Sequence, residues 1–103
     1  MAKRLIYVAG KYRGDCENDV FENIVRARKA ALRLWNKGYA VICPHTNSFF
    51  MGSRLGDDKF LEGDLEIVRR VDAIYMLKGF RSSIGAMKEL ALAIELGKEV
   101  IYE

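Results

Sequence analysis

Two carboxylates, Glu89 and Asp64, and a helix start at Ser83 are the residues of this chain whose types and spacing point to chemistry. The stretch from Gly79 to Gly97 follows the apolar run Ala73-Ile74-Tyr75-Met76-Leu77 and changes from turn formers to helix formers at Ser83, which makes Ser83 the expected N-cap. The first backbone N–H groups of such a helix lack partners within it and carry the positive end of the helix dipole, so they form an anion site. Gly85 and Ala86 in the first turn leave room for a ligand to approach. Glu89 shares a helical face with Gly85, Ala86 and Ala93, an apolar surface of small residues. A carboxylate there is either a nucleophile or base, or an ordinary acid favoured by the helix dipole.

Asp64 falls inside the apolar stripe Phe60, Leu61, Leu65 and Val68 of a helix expected over Lys59 to Arg70. A carboxylate on a core-facing stripe needs either a hydrogen-bonded partner or a task. Glu62 and Glu66 lie on other faces and read as solvated, and Asp72 closes the turn before the next strand. The cation that would face these acids is Arg13, in the loop Gly10-Lys11-Tyr12-Arg13-Gly14-Asp15. Arg13 is suited to a phosphate or carboxylate and Tyr12 to stacking or hydrogen bonding, although a surface turn with an extended Arg explains the same residues. Neither the phosphate-loop nor the dinucleotide glycine spacing is present. His45, the single histidine, stands just beyond a strand end, where it either binds substrate or caps the loop.

The elements that must position these residues alternate. Leu5 to Ala9 is a continuous apolar run bounded by Gly10, as expected of a strand buried on both faces. A long helix follows from about Asn18 to Lys37, with an Asp19…Glu22 capping box, a stripe of Val20, Ile24, Ala27, Ala31, Leu34 and Trp35, and Gly38 as its stop. Tyr39 to Cys43 is the second strand, ended by Pro44. His45 to Asp58 shows no periodicity, and its Phe49 and Phe50 point to either a lid over a flat ligand or a subunit contact. The Asp64 helix, the strand Ala73–Leu77, the helix Ile84–Leu96 and the strand Glu99–Tyr102 complete the chain. This alternation predicts an α/β, flavodoxin/Rossmann-like three-layer sandwich with a four-stranded parallel sheet in the order 2-1-3-4. Ligands sit where the winding reverses, between the first and third strands at their carboxyl ends, where the Gly10–Asp15 and Gly79–Ser83 loops converge.

At 103 residues the chain reads as one domain, residues 1–103. A net charge of +3 is too small to argue for nucleic acid, and Arg26, Lys29, Arg33 and Lys37 form a basic stripe on the solvent side of the long helix. No apolar run approaches a membrane span, and the N-terminus reads as a strand rather than a signal peptide. With no export signal, Cys16 and Cys43 are expected as free thiols of a cytoplasmic protein. The Cys43-Pro44-His45 spacing fits no common zinc pattern, so neither a metal nor a cofactor is expected.

Ser83-x-Gly85-x-x-x-Glu89, preceded by Asp64-Leu65-Glu66 and Asp72, with Tyr7-Val8-Ala9-Gly10, Gly38-Tyr39 and Pro44-His45 upstream, resembles the nucleoside 2-deoxyribosyltransferase superfamily. The resemblance covers nearly the whole chain. It is nearest the branch of 2'-deoxynucleoside 5'-monophosphate N-glycosidases and small phage and bacterial domains of unknown function. It implies that the Glu at position 89 attacks the anomeric carbon of a deoxyribose to give a covalent glycosyl-enzyme, and that the Asp at position 64 assists departure of the base. Water as acceptor then gives hydrolysis, and a second base gives transfer. Transferases of free nucleosides look to have an acid where this chain has Ser83, whereas the monophosphate hydrolases have a serine, which implies a nucleotide substrate. The resemblance also implies a site shared between subunits, and a shallow crevice in so small a domain leads to the same expectation of a homodimer or larger homo-oligomer.

The expected site therefore comprises Glu89 and Asp64 as catalytic groups, and Gly10, Tyr12, Arg13, His45, Asn47, Ser82, Ser83 and Gly85 around a small-molecule nucleotide or nucleoside. Two other classes compete with the enzyme. One is a non-catalytic module that binds or senses a nucleotide derivative, and the other is a structural domain assembled through Phe49 and Phe50. Chemistry requires both carboxylates, whereas anion binding would gain from losing them.

Overall fold

The computed structural model describes residues 3–47 and 57–103. Strand β1 (Leu5–Ala9) occupies the middle of a four-stranded, all-parallel sheet, with β2 (Ala40–Ile42) on one side and β3 (Ala73–Met76) then β4 (Glu99–Tyr102) on the other. The observed order, β2-β1-β3-β4, is the expected α/β sandwich. Tyr7 sits between Ile42 and Ile74 in the sheet register. The continuous apolar character of β1 follows from helices on both faces. Ile6 and Val8 point to the layer of α1 (Glu17–Asn36), packing with Ala27, Ala30 and Leu34, whereas Tyr7 and Ala9 point to the opposite layer. That second layer holds α3 (Asp57–Arg70) and α4 (Ile84–Glu95), whose Val68, Leu90 and Ala93 close the other core. Right-handed crossovers explain the arrangement: the step from β1 to β2 runs one way and the steps to β3 and β4 run the other, so the helices change face at β1/β3.

Helix α1 departs from expectation at both ends. It has no Asp19…Glu22 capping box; Cys16 is the N-cap and its side chain makes no capping bond. Asp19 lies inside the first turn, where its Oδ2 accepts from the Asp15 N–H at 3.0 Å, and Glu22 accepts from Asn18 Nδ2 at 3.2 Å. The side chain that could cap the helix is thus used to fold back the loop before it. At the other end Trp35 is half exposed, because Ala30 and Leu34 complete the buried stripe and leave Trp35 turned outward. Gly38, at φ 100°, ends the helix in the left-handed conformation that glycine adopts without strain.

Further corrections concern the middle of the chain. The segment after β2 begins not as a loop but as a short helix, α2 (Pro44–Asn47), and α3 already starts at Asp57. Phe49 and Phe50 lie outside the described residues. In α3 only Val68 of the expected stripe is fully buried, while Phe60, Leu61 and Leu65 are half-buried, because the N-terminal half of this helix borders a crevice rather than the core. No helix among the described residues is long and apolar enough to cross a membrane.

Candidate active site

The crevice lies at the carboxyl ends of β1 and β3 and measures about 590 Å³, within the range that holds small-molecule ligands. The loop after β1 supplies Gly10, Tyr12 and Arg13, α2 supplies His45, α3 supplies Asp64, and the start of α4 supplies Ser82, Ser83, Gly85 and Glu89. These are all but one of the residues expected from the sequence. Asn47 is the exception: it is exposed at the end of α2 and does not line the crevice. Lys11 and Lys88 line it as well. Gly10 is fixed by packing, since a Cβ there would come within 2.7 Å of the Leu77 Cβ.

Glu89 is buried, 6% exposed, on the sheet-facing side of α4 between Ala86 and Ala93. Its Oε2 accepts a hydrogen bond from the hydroxyl of Tyr7, which is fully buried in β1. Burial pushes the Glu89 carboxyl up to about 7; the Tyr7 hydrogen bond opposes the rise and the nearby charge of Asp64 adds to it. Asp64 is itself half-buried, and desolvation raises it to about 6. The Tyr7 hydroxyl is held well above its ordinary value, first by burial and then by the charges of Glu89 and Asp64, so it remains a donor. The two acids line one crevice, and the charge of Asp64 adds to the rise at Glu89.

Tyr7, whose hydroxyl donates to Glu89, is the side chain of this site that sequence reasoning missed. Its polar group is the only one in a strand otherwise aliphatic, and that was the available signal. A run buried on both faces gives no alternation, however, so it does not reveal which face the hydroxyl joins.

The other end of the crevice suits an anion. Ser83 has the extended backbone of an N-cap, its Oγ accepts from the Ala86 N–H at 3.1 Å, and its own hydroxyl proton remains available to a ligand. Ile84 and Gly85, whose N–H groups have no acceptor within the helix, line the same wall. Ser82 sits on a 3-10 turn (Phe80–Ser82), with its Oγ donating to the Gly79 carbonyl at 2.9 Å. His45 is buried, and its Nε2 is 3.0 Å from the Lys11 carbonyl, which places the ring proton on Nε2. Nδ1 then faces inward as an acceptor with no partner among the described residues. Burial lowers the His45 pKa, the Lys11 carbonyl partly opposing this, so the ring is neutral. Tyr12, 38% exposed, tilts against that ring at 5.8 Å and gives the crevice an aromatic wall. A second depression of about 460 Å³ on the α1 side mixes Asp15, Asp19 and Glu22 with Lys11, Arg26 and Lys78, and contains neither of the buried carboxylates.

Residues 4–102 match the family model described as Domain of unknown function (DUF4406). The chain belongs to the DUF4406 family. Among solved structures this DUF4406 domain resembles a 2-deoxyribosyltransferase from the psychrotolerant bacterium Bacillus psychrosaccharolyticus, with a TM-score of 0.66 and 22% identity over 95% of this chain and 70% of that one. It also resembles a 2-desoxiribosyltransferase from Leishmania mexicana, with a TM-score of 0.59 and 26% identity over 96% of this chain and 63% of that one. Curated protein sequences contain no match to it. The DUF4406 domain thus has the fold of those transferases and spans 63–70% of their length.

Proposed function

We propose that this DUF4406 domain cleaves the N-glycosidic bond of 2'-deoxynucleoside 5'-monophosphates through a covalent intermediate on Glu89. The observation that carries the reading is the buried Glu89 carboxylate, oriented by the Tyr7 hydroxyl and coupled to Asp64, in a crevice whose other end is the start of α4. The likeness to two 2-deoxyribosyltransferases supports the same reaction type.

A Glu89 oxygen forms a bond to C1' as the C1'–N bond breaks, and the electron pair of that bond leaves with the base. The base takes a proton from Asp64, and the oxocarbenium character of the transition state is stabilised by the adjacent carboxylate. In the second half water attacks C1', its proton passes to Asp64 and the Glu89 oxygen departs; a second base in place of water gives transfer. Burial raises both carboxyls, so a proton on Glu89 has an acceptor in Asp64 when attack begins. One proton shared by the pair then meets both needs: it frees the nucleophile and arms the acid.

The phosphate is directed to the N–H groups of Ile84 and Gly85 and the Ser83 hydroxyl, with Lys11, Arg13 and Lys88 bringing positive charge to the same crevice. Tyr12 offers the flat surface for the base. The test is chromatographic detection of free base after incubation with a panel of deoxynucleosides, their 5'-monophosphates and the ribose counterparts. Release from the deoxynucleoside monophosphates, with little from the nucleosides, supports the reading. Release from no substrate, with thermal stabilisation by the nucleotides retained, would instead make the domain a nucleotide-binding module.

A further inference from the structure

The loop after β1 carries Tyr12 and Arg13 into the crevice wall without a helix or strand of its own to hold it. Among the described residues, Lys11 to Gly14 make no backbone-to-backbone hydrogen bond. Such a segment keeps one conformation only where side chains take the place of those bonds. Here they do so at one residue after another. His45 Nε2, from α2, meets the Lys11 carbonyl at 3.0 Å. From α1, Asn23 Nδ2 donates to the Tyr12 carbonyl at 3.1 Å and to the Arg13 carbonyl at 3.2 Å. One helical turn before Asn23, Asp19 Oδ2 accepts from the Asp15 N–H at 3.0 Å. The junction is tight as well, since a Cβ at Gly14 would lie 2.1 Å from the Asp19 Cβ.

Asn23 is the member of this set that acts on the crevice residues themselves. A carboxamide nitrogen has two N–H donors, and two successive carbonyls use both. Asn23 lines the depression on the α1 side and not the crevice, so it holds the loop from behind. With their carbonyls turned toward α1, Tyr12 and Arg13 still line the crevice on the other side of the loop.

We propose that Asn23 is a positioning residue, which holds the Tyr12 and Arg13 carbonyls so that the loop after β1 forms the wall receiving the base and phosphate of the nucleotide. This role rests on the nucleotide reading of the crevice. It divides binding from chemistry, because Asp64 and Glu89 stand on α3 and α4, across the sheet from α1. A loop released from α1 has more conformational freedom to lose when a ligand arrives, and affinity falls. The Glu89 carboxyl and its Tyr7 partner stay in place, and the chemical step keeps its rate.

The test reads two properties of the full chain, with far-UV circular dichroism confirming that each variant is folded. One is the backbone order parameters of Tyr12 and Arg13 from NMR relaxation. The other is the binding and turnover of a 2'-deoxynucleoside 5'-monophosphate. Asn23→Ala removes both donors without adding charge, and Asn23→Asp keeps the shape but turns acceptors toward the two carbonyls. In both variants the order parameters are expected to fall from about 0.85 to below about 0.6. Kd and KM should rise about tenfold, as two lost hydrogen bonds imply, with kcat within about threefold of the wild type. Asn18→Ala, an exposed position of α1 whose side chain bonds to Glu22 rather than to the loop, should match the wild type. Order parameters unchanged in Asn23→Ala overturn the proposal, as does a fall in kcat with KM unchanged. A loss of affinity confined to Asn23→Asp also overturns it, since repulsion of the phosphate by the new charge would explain that. A wild type that neither binds nor cleaves the nucleotide refutes the functional reading and this role with it, whereas variants that bind as tightly as a binding wild type overturn this role alone.

Discussion

Replacing Glu89 with Gln should make the protein more stable at alkaline pH while abolishing turnover. The ordinary value for a Glu is 4.5, and burial holds Glu89 at about 7. Below 4.5 the carboxyl is protonated in both the folded and the unfolded chain, and its burial costs little. Between 4.5 and about 7 the unfolded chain ionises while the folded one keeps its proton, so stability falls as pH rises. Above about 7 the penalty is constant, and at about 1.4 kcal/mol per pH unit it amounts to about 3 kcal/mol. Glu89 is almost wholly buried, so water screens little of this cost. Gln keeps the shape and still accepts from the Tyr7 hydroxyl, yet never ionises. Thermal unfolding at pH 8 should therefore show Glu89→Gln above the wild type by about 10 °C or more for a domain of this size. At pH 5 the difference should shrink to less than about 1 kcal/mol. His45 contributes with the opposite sign, since its lowered pKa costs stability as pH falls, but it is common to both proteins and cancels in the comparison. A variant less stable than the wild type at pH 8, or a difference that does not change between pH 5 and pH 8, would refute the reasoning.

Three further substitutions probe the same geometry. Tyr7→Phe removes the hydroxyl that donates to Glu89, so the carboxyl should titrate higher still; kcat should fall about 10- to 100-fold and the rising limb of the pH–rate profile should move to higher pH, with the fold retained. Ser83→Asp keeps an N-cap acceptor for the Ala86 N–H but sets a negative charge at the anion end; base release from a monophosphate should drop relative to the matching nucleoside, measured as the ratio of kcat/KM values. Gly10→Ala drives a Cβ against the Leu77 Cβ and should cost about 1–3 kcal/mol in denaturant unfolding, by forcing the loop after β1 away from β3.

The parallel sheet and its winding were legible because four apolar runs alternate with helical periodicities, and that pattern admits few topologies. The crevice was legible for the same reason: the winding reverses between β1 and β3, which brings the Gly10 loop and the start of α4 together. Ser83 as N-cap and Glu89 on the buried face of α4 follow from local spacing, and both hold. What depends on contacts between distant residues was not legible. The Tyr7–Glu89 hydrogen bond joins residues 82 positions apart, and Asp19 is drawn from capping by the Asp15 backbone. Trp35 falls in the expected stripe, but Ala30 and Leu34 complete the buried face of α1 and the indole stays half exposed. Asn47 is among the residues expected around the substrate, whereas the turn of α2 carries it out to solvent.

The most direct test of the central claim is intact-protein and peptide mass spectrometry after rapid acid quench of the protein incubated with a 2'-deoxynucleoside 5'-monophosphate. The account predicts one deoxyribosyl 5-phosphate adduct, located on Glu89 and absent from Glu89→Gln. Base release that proceeds with no adduct on the wild type and continues in Glu89→Gln would contradict it.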